Sequence, residues 1–165
     1  MICVNQYRTH LCGEVGENDI HKEVRVAGWV ENIRDHGGVK FIDLRDHYGV
    51  VQIVVYDDNL LANVTKECTI TASGTVVLRE EDTINPKINT GTVEVKVTAL
   101  TVLGKALSNL PFEVASSTDT KEDVRLKYRY LDLRNPKVHA NIVLRSQIIA
   151  FLRKKMTEMG FLEIQ

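Results

Sequence analysis

The chain has 165 residues, 44% of them apolar and 26% charged, with a formal net charge of −1. That is enough apolar material for a packed core, and the balanced charge argues against a protein that grips nucleic acid by bulk electrostatics. Cys3, Cys12 and Cys68 show neither a disulfide framework nor paired metal spacing. No stretch has the length of a membrane span or the pattern of a cleaved leader, so a cytoplasmic protein with free thiols is expected.

Residues 1–21 read as a lead-in, with Glu17, Asn18 and Asp19 in a turn and Ile20 anchoring it. A first strand is predicted over 22–34. Val24, Val26 and Val30 share one face, and Gly28 among them marks a bulge or sharp bend, the device by which a small barrel turns a corner. Trp29 then faces away from the valines, unless a bulge at Gly28 reverses it. Asp35, His36, Gly37 and Gly38 make a turn. In the second strand, 39–46, Ile42 and Leu44 point one way and Phe41, Asp43 and Arg45 the other. A turn at Asp46, His47, Tyr48 and Gly49 leads to a third strand ending at 57. There Val51, Ile53 and Val55 face the core, and Gln52 shares the other face with Val50, Val54 and Tyr56. Phe41 and Gln52 thus both fall on the wet face of a small sheet, which is what a reader of single-stranded RNA requires. The plain alternative is an exposed Phe beside polar residues.

A short helix is expected over 58–67, capped by Asp57 or Asp58, with Leu60, Leu61 and Val64 at helical spacing. A fourth strand follows over 69–79, with a possible bend at Gly74. Residues 80–91, with Pro86 and Gly91, form a loop. In the fifth strand, 92–103, Val93, Val95 and Val97 face the core, while Glu94 and Lys96 face outward. Three strands, a helix and two strands, with glycine bends, is the order of an OB-fold, a mainly β, five-stranded Greek-key barrel whose middle strands and loops bind oligonucleotides. Its expected extent is 1–104. Residues 105–127 are small and polar and read as a linker or hinge. Asn135 and Pro136 then open a long C-terminal helix that runs to about Met159 and stops at Gly160. Val138, Ile142, Ile149, Leu152, Met156 and Met159 make one apolar stripe, widened by Leu144, Ile148 and Phe151. Such a face needs a partner, and residues 161–164 look like the start of a strand. The segment 128–165 therefore reads as the cut-off beginning of a second domain.

Five runs carry a resemblance: YRTHLCGEV near the start, GWVENIRDHGGVKFIDLRDHYGVVQIVV, INPKINTGTVEV, RLKYRYLDLR, and the last helix with GFLEIQ. Together they resemble the N-terminal part of bacterial aspartyl-tRNA synthetase, a class IIb aminoacyl-tRNA synthetase. The last helix is similar to motif 1 of class II enzymes, which packs across a dimer interface. The resemblance implies that the barrel binds the anticodon loop of tRNA(Asp), that Phe41 stacks on an anticodon base and that Gln52 reads the central uracil. It implies that Glu94 contacts the first anticodon base, a guanine or its modified form, and that Arg34 contacts the anticodon nucleotides or their backbone. It also implies a homodimeric parent enzyme that uses ATP and Mg2+ outside this segment to ligate aspartate to tRNA. His36 at its turn resembles enzymes that accept tRNA(Asn) as well. Where the family often carries a run of arginines before Asp35, this chain has Glu31, Asn32, Ile33 and Arg34, and fewer charges flatten salt dependence.

The chemistry of the residues agrees with that assignment. An aromatic ring stacks on any base, an amide offers a donor and an acceptor to a uracil edge, and a carboxylate accepts from the amino and imino groups of guanine. Taken singly, a strand Gln or Glu facing water is ordinary, and Arg34 could be a solvated strand end. No nucleophile set, metal cluster or phosphate loop is present, and Asp43, Asp46, Glu80, Glu81 and Asp82 read as solvated charges. A lysyl or asparaginyl synthetase domain would share Phe and Gln on the same strands, but YRTHLCGEV and the INPKINTG loop favour the aspartyl type. A stand-alone OB module for single-stranded nucleic acid would not carry the motif-1-like tail.

Overall fold

Alternating apolar residues build five strands: β1 (Glu23–His36), β2 (Val39–Arg45), β3 (Val50–Val55), β4 (Thr69–Leu78) and β5 (Val93–Gly104). They close into a barrel in the order β1-β2-β3-β5-β4, with β1 pairing back onto β4. Every pairing is antiparallel except a short parallel contact between β3 and β5, where Ile53 pairs with Val95 and Val54 with Lys96. This computed structural model describes residues 5–107 and 109–164. Two units are distinguished, Met1–Ser108 and Asn109–Gln165. Cys3 lies outside the described residues, and Cys12 and Cys68 are free and buried.

The barrel core contains the residues expected from periodicity, except that Val97 is only partly buried, and Ile70 and Val76 of β4 join it. Val24, Val26, Val30, Ile42, Leu44, Val51, Ile53, Val55, Ile70, Val76, Val93 and Val95 are buried together, with Ile20 packed against them from the 3-10 turn Glu17–Asp19. At Gly28 and Gly74 the backbone of another strand passes close by. A Cβ on Gly28 would lie 2.3 Å from the Arg45 carbonyl oxygen, and one on Gly74 would lie 2.1 Å from that of Lys96, so no side chain fits at either crossing.

The bulge sits elsewhere than at Gly28. Val30 pairs with Leu44 and Asn32 with Asp43, so Glu31 is the extra residue, and Trp29 stays opposite the valines, paired with Arg45. The extra residue reverses the parity of all that follows. Arg34, an even number of residues from Val30, ends on the outer face beside its partner Phe41 rather than in the core.

The helix expected over 58–67 is only a 3-10 turn, Asp58–Leu61. Asp57 caps it through the Asn59 N–H, and the positive φ of Asn63 and Glu67 rules out continuation. Asp46 is not a solvated charge. It is buried, accepts from the backbone N–H groups of Tyr48 and Gly49, and binds Cys12 N–H at 2.9 Å, which ties the N-terminal lead-in to the β2–β3 turn.

The second unit has a small core of its own: Phe112, Val114 and Leu131, flanked by Leu110, Val124 and Tyr128. Residues 114–119 form a 3-10 segment within the stretch that composition alone suggests as a linker, followed by α1 (Glu122–Lys127) and α2 (Arg129–Asp132). Small polar residues here stay ordered because Asp132, fully buried, accepts from Ser117, Arg125 and Arg129. The long helix α3 (Pro136–Glu158) starts and stops as its sequence signals dictate. Asn135 caps it by accepting from the N–H groups of Lys137 and Val138, and Gly160 follows it at φ +88°. The Asn135 amide also donates to the carbonyls of Val114 and Ala115. Asn135→Ala should therefore cost roughly 1–2 kcal/mol, read as a lower midpoint of helical circular dichroism on urea titration. Residues 161–164 form no strand, since a strand needs a neighbour to pair with.

Candidate nucleic-acid interface

Six strand residues meet on the outer face of β1, β2, β3 and β5. Arg34 pairs with Phe41 across β1 and β2, and Asp43 pairs with Gln52 across β2 and β3. The parallel register of β3 and β5 brings Glu94 beside Gln52. The polar side chains form one chain of hydrogen bonds. Asn32 Nδ2 donates to Asp43 at 3.3 Å, and Arg34 Nη2 donates to Asp43 at 2.8 Å and to Gln52 Oε1 at 3.0 Å. Gln52 Nε2 in turn donates to Glu94 Oε2 at 2.8 Å.

At one end of this chain, the Phe41 ring is half-buried, in an edge-to-face contact with His36 at 5.5 Å and 87°. His36 is the last residue of β1, and the turn beyond it uses Gly37 and Gly38 at φ +63° and +99°. Lys40 pairs with Asp35 at this same turn. At the other end, Trp29 packs against Arg45 and edge-on to His47, and Arg45 forms a buried pair with Glu67 at 2.6 Å. Burial pushes the bulged Glu31 carboxyl up, an effect that Arg45 opposes and that Asp43 and Glu67 reinforce.

Strand alternation puts Gln52 on an open, wet face, but only 6% of its surface is accessible. Its cover comes from side chains far away in the sequence, Arg34 from β1 and Glu94 from β5, so no local pattern signals it. Val54, expected on the same outer face, is also buried.

A further residue belongs to this neighbourhood and escaped the sequence reading. Arg79, at the end of β4, is 8% exposed, and its Nε donates to the Val93 carbonyl at 3.0 Å. Its Nη2 is buried with no hydrogen-bond partner among the described residues. Burial pushes its guanidinium below the ordinary value, and Arg34 adds to that, while Glu94 and Asp43 pull the other way. Its charge lies close enough to Glu94, Asp43 and Arg34 to act on this network. The only hint in the sequence is that Arg79 interrupts an otherwise apolar strand end just before the acidic loop. Among the described residues no group of three or more His, Cys, Asp or Glu side chains could hold a metal ion, and no helix is long and apolar enough to cross a membrane.

The face thus carries the Phe41 ring, the amides of Asn32 and Gln52, the carboxylates of Asp43 and Glu94 and the Arg34 guanidinium, with Arg79 nearby, on a small closed barrel. Comparison with known proteins finds the same domain. The tRNA anti-codon family, described as an OB-fold nucleic acid binding domain, matches residues 24–103, and the class II tRNA synthetases (D, K and N) match residues 121–165. The aspartate–tRNA(Asp/Asn) ligase of Ehrlichia canis is 50% identical over 98% of this chain, and the aspartate–tRNA ligase of Streptomyces griseus is 45% identical over 98%. The chain belongs to the aspartyl-tRNA synthetase family. It spans 27 to 28% of the length of these two synthetases. Among solved structures, asparaginyl-tRNA synthetase from Pyrococcus horikoshii superimposes with a TM-score of 0.73 at 26% identity, covering 94% of this chain and 36% of that one. The aspartyl-tRNA synthetase of Entamoeba histolytica shares the fold, with a TM-score of 0.79 at 22% identity, covering 93% of this chain and 38% of that one.

Proposed function

We propose that the outer face of β1, β2, β3 and β5 reads the anticodon loop of tRNA(Asp), with Phe41 as the stacking platform, Gln52 on the central uracil and Glu94 on the first base. The observation that carries this reading is the Arg34–Gln52–Glu94 chain, in which Arg34 joins the Gln52 amide to the strand pair that carries the half-buried Phe41 ring, in an OB-fold of the synthetase family. Arg34 and Arg79 supply positive charge for the backbone or base oxygens. The near-neutral net charge means that this local set, and not bulk attraction, provides the affinity.

The test is binding of anticodon stem-loops that differ only at the central base. Gln52→Ala should weaken the uracil loop by about 1–3 kcal/mol and bring the four central bases close together in affinity. Equal binding of all loops by the unaltered chain would defeat the assignment.

The parent enzyme, on this reading, joins aspartate to tRNA with ATP and Mg2+. The chain spans only 27 to 28% of the length of the two named ligases, and on this reading it should bind tRNA without charging it. His36 and the relatives named for both Asp and Asn tRNAs support a second acceptor, tRNA(Asn). Failure of the full-length enzyme to aspartylate tRNA(Asn) would remove that part. The exposed apolar residues of α3, among them Leu144, Ile148, Phe151, Leu152 and Met156, support a homodimer through this helix in the full-length enzyme.

A further inference from the structure

Gln52 is held at both ends of its amide by opposite charges. Its carbonyl oxygen accepts from the Arg34 guanidinium at 3.0 Å, and its nitrogen donates to the Glu94 carboxylate at 2.8 Å. Arg34 is itself fixed by Asp43 at 2.8 Å, and Asp43 by Asn32 at 3.3 Å, so the positive charge cannot easily leave the carbonyl side. A glutamine amide is otherwise nearly symmetric in shape. Its last torsion has two equivalent settings, and between neutral neighbours the two are close in energy. Here a flip would turn the NH2 group toward a guanidinium that can only donate, and the carbonyl toward a carboxylate that can only accept. Two charge-assisted hydrogen bonds would become two repulsions.

The consequence lies in what the amide has left to offer. One N–H and one carbonyl lone pair of Gln52 remain after its two partners are served. Their sense, donor here and acceptor there, is set by Glu94 and Arg34. Uracil presents a ring N–H between two carbonyl oxygens. Cytosine presents a bare ring nitrogen and an amino group in the corresponding places, so donor and acceptor are exchanged. A freely flipping glutamine satisfies either base by turning over. A glutamine held one way round satisfies one base and opposes the other. The 6% of Gln52 left accessible gives a base little room to approach from a second direction. Resting on the anticodon reading above, we propose that Arg34 and Glu94 lock the orientation of the Gln52 amide and so set the preference for uracil over cytosine at the central anticodon position. In this role the pair act as positioning residues, apart from any contact of their own with RNA.

The experiment is a fluorescence anisotropy titration of the 165-residue chain with two anticodon stem-loops that keep guanine first and carry uracil or cytosine at the centre. Glu94→Gln keeps the shape but supplies an amide able to donate or accept, so a flipped Gln52 is opposed only at its Arg34 end. The unaltered chain should prefer uracil by about tenfold or more, and Glu94→Gln should bring the ratio to within about threefold, whatever both loops lose through the first base. Arg34→Gln frees the other end of the amide and should narrow the ratio in the same way. It lies on the surface, so it reports on the lock even if Glu94→Gln fails to fold. A merely structural role predicts weaker binding of both loops at an unchanged ratio. Retention of the full preference in the folded variants overturns the lock and leaves the anticodon reading standing. If the unaltered chain does not distinguish the loops, the anticodon reading falls, and the lock with it.

Discussion

Replacing Asp132 by asparagine is expected to lower the stability of the second unit at neutral pH by about 2–4 kcal/mol. Breaking a wholly buried ion pair costs about 3–5 kcal/mol, but the side chains of Arg125 and Arg129 keep 23% and 42% of their surface in solvent and can be rehydrated, which trims the loss. What remains is the loss of the negative charge and of one of the two acceptor oxygens that join the 3-10 segment, α1 and α2, with an NH2 group now set against a guanidinium. The pH dependence has a definite sign. Burial alone would raise the Asp132 carboxyl, but the hydrogen bonds from Arg125 and Ser117 and the charges of Arg125 and Arg129 outweigh it and hold the group below its ordinary value. The unfolded chain then binds the proton more readily than the folded one. The contribution is complete above the ordinary carboxylate value near ~3.9 and fades as pH falls through the lower folded value. Urea titrations of the two proteins, followed by helical circular dichroism, should differ at pH 7 and converge in strong acid. A constant gap at both pH values would show that the charge is not what matters.

Phe41→Ala should weaken binding of the anticodon stem-loop by about 1–3 kcal/mol, roughly 5- to 150-fold, whichever base stands opposite the ring. Stacking is indifferent to base identity, and Phe41 offers no polar atom, so discrimination at the central base should survive the substitution. The slope of log affinity against log salt should also be unchanged, because no phosphate partner is lost. Arg34→Ala is the counterpart. It should flatten the salt slope by less than one full ion, since Asp43 already neutralises part of that guanidinium. A Phe41 variant that lost base choice as well as affinity would mean that the ring positions Gln52 instead of stacking.

The strands and the core were legible because barrel walls obey a period of two, and Val24, Val26, Ile42, Leu44, Val51 and Ile53 all follow it. The outer membership of Arg34 was not legible from that period. It depends on one extra residue, Glu31, and nothing in the identity of Glu31 marks it as bulged. A glycine within a strand usually signals an irregularity, yet Gly28 serves close approach to Arg45 while keeping register. The burial of Gln52 and the placement of Arg79 were hidden for a different reason. Both are produced by neighbours on other strands, Glu94 being 42 positions from Gln52 and Val93 being 14 from Arg79. The ordering of residues 112–127 likewise depends on Asp132, whose apolar and basic neighbours in sequence give no sign that it turns inward.

The parallel contact between β3 and β5 is the shortest pairing in the barrel, two residue pairs against ten between β4 and β5. Gln52 stands on one side of that join and Glu94 on the other. An RNA loop held by both would clasp the barrel shut where it is most easily parted. If it has no affinity for the parted strands, opening becomes harder by about 2.7 kcal/mol at a free RNA concentration a hundred times the dissociation constant. Amide hydrogens of Ile53–Val55 and Val95–Val97 should then exchange with solvent roughly a hundredfold more slowly in the complex, while those deep in the β1–β4 wall hardly change. The protein and its RNA would share a single hinge of stability, so the grip on the anticodon and the integrity of the wall beneath it rise and fall together.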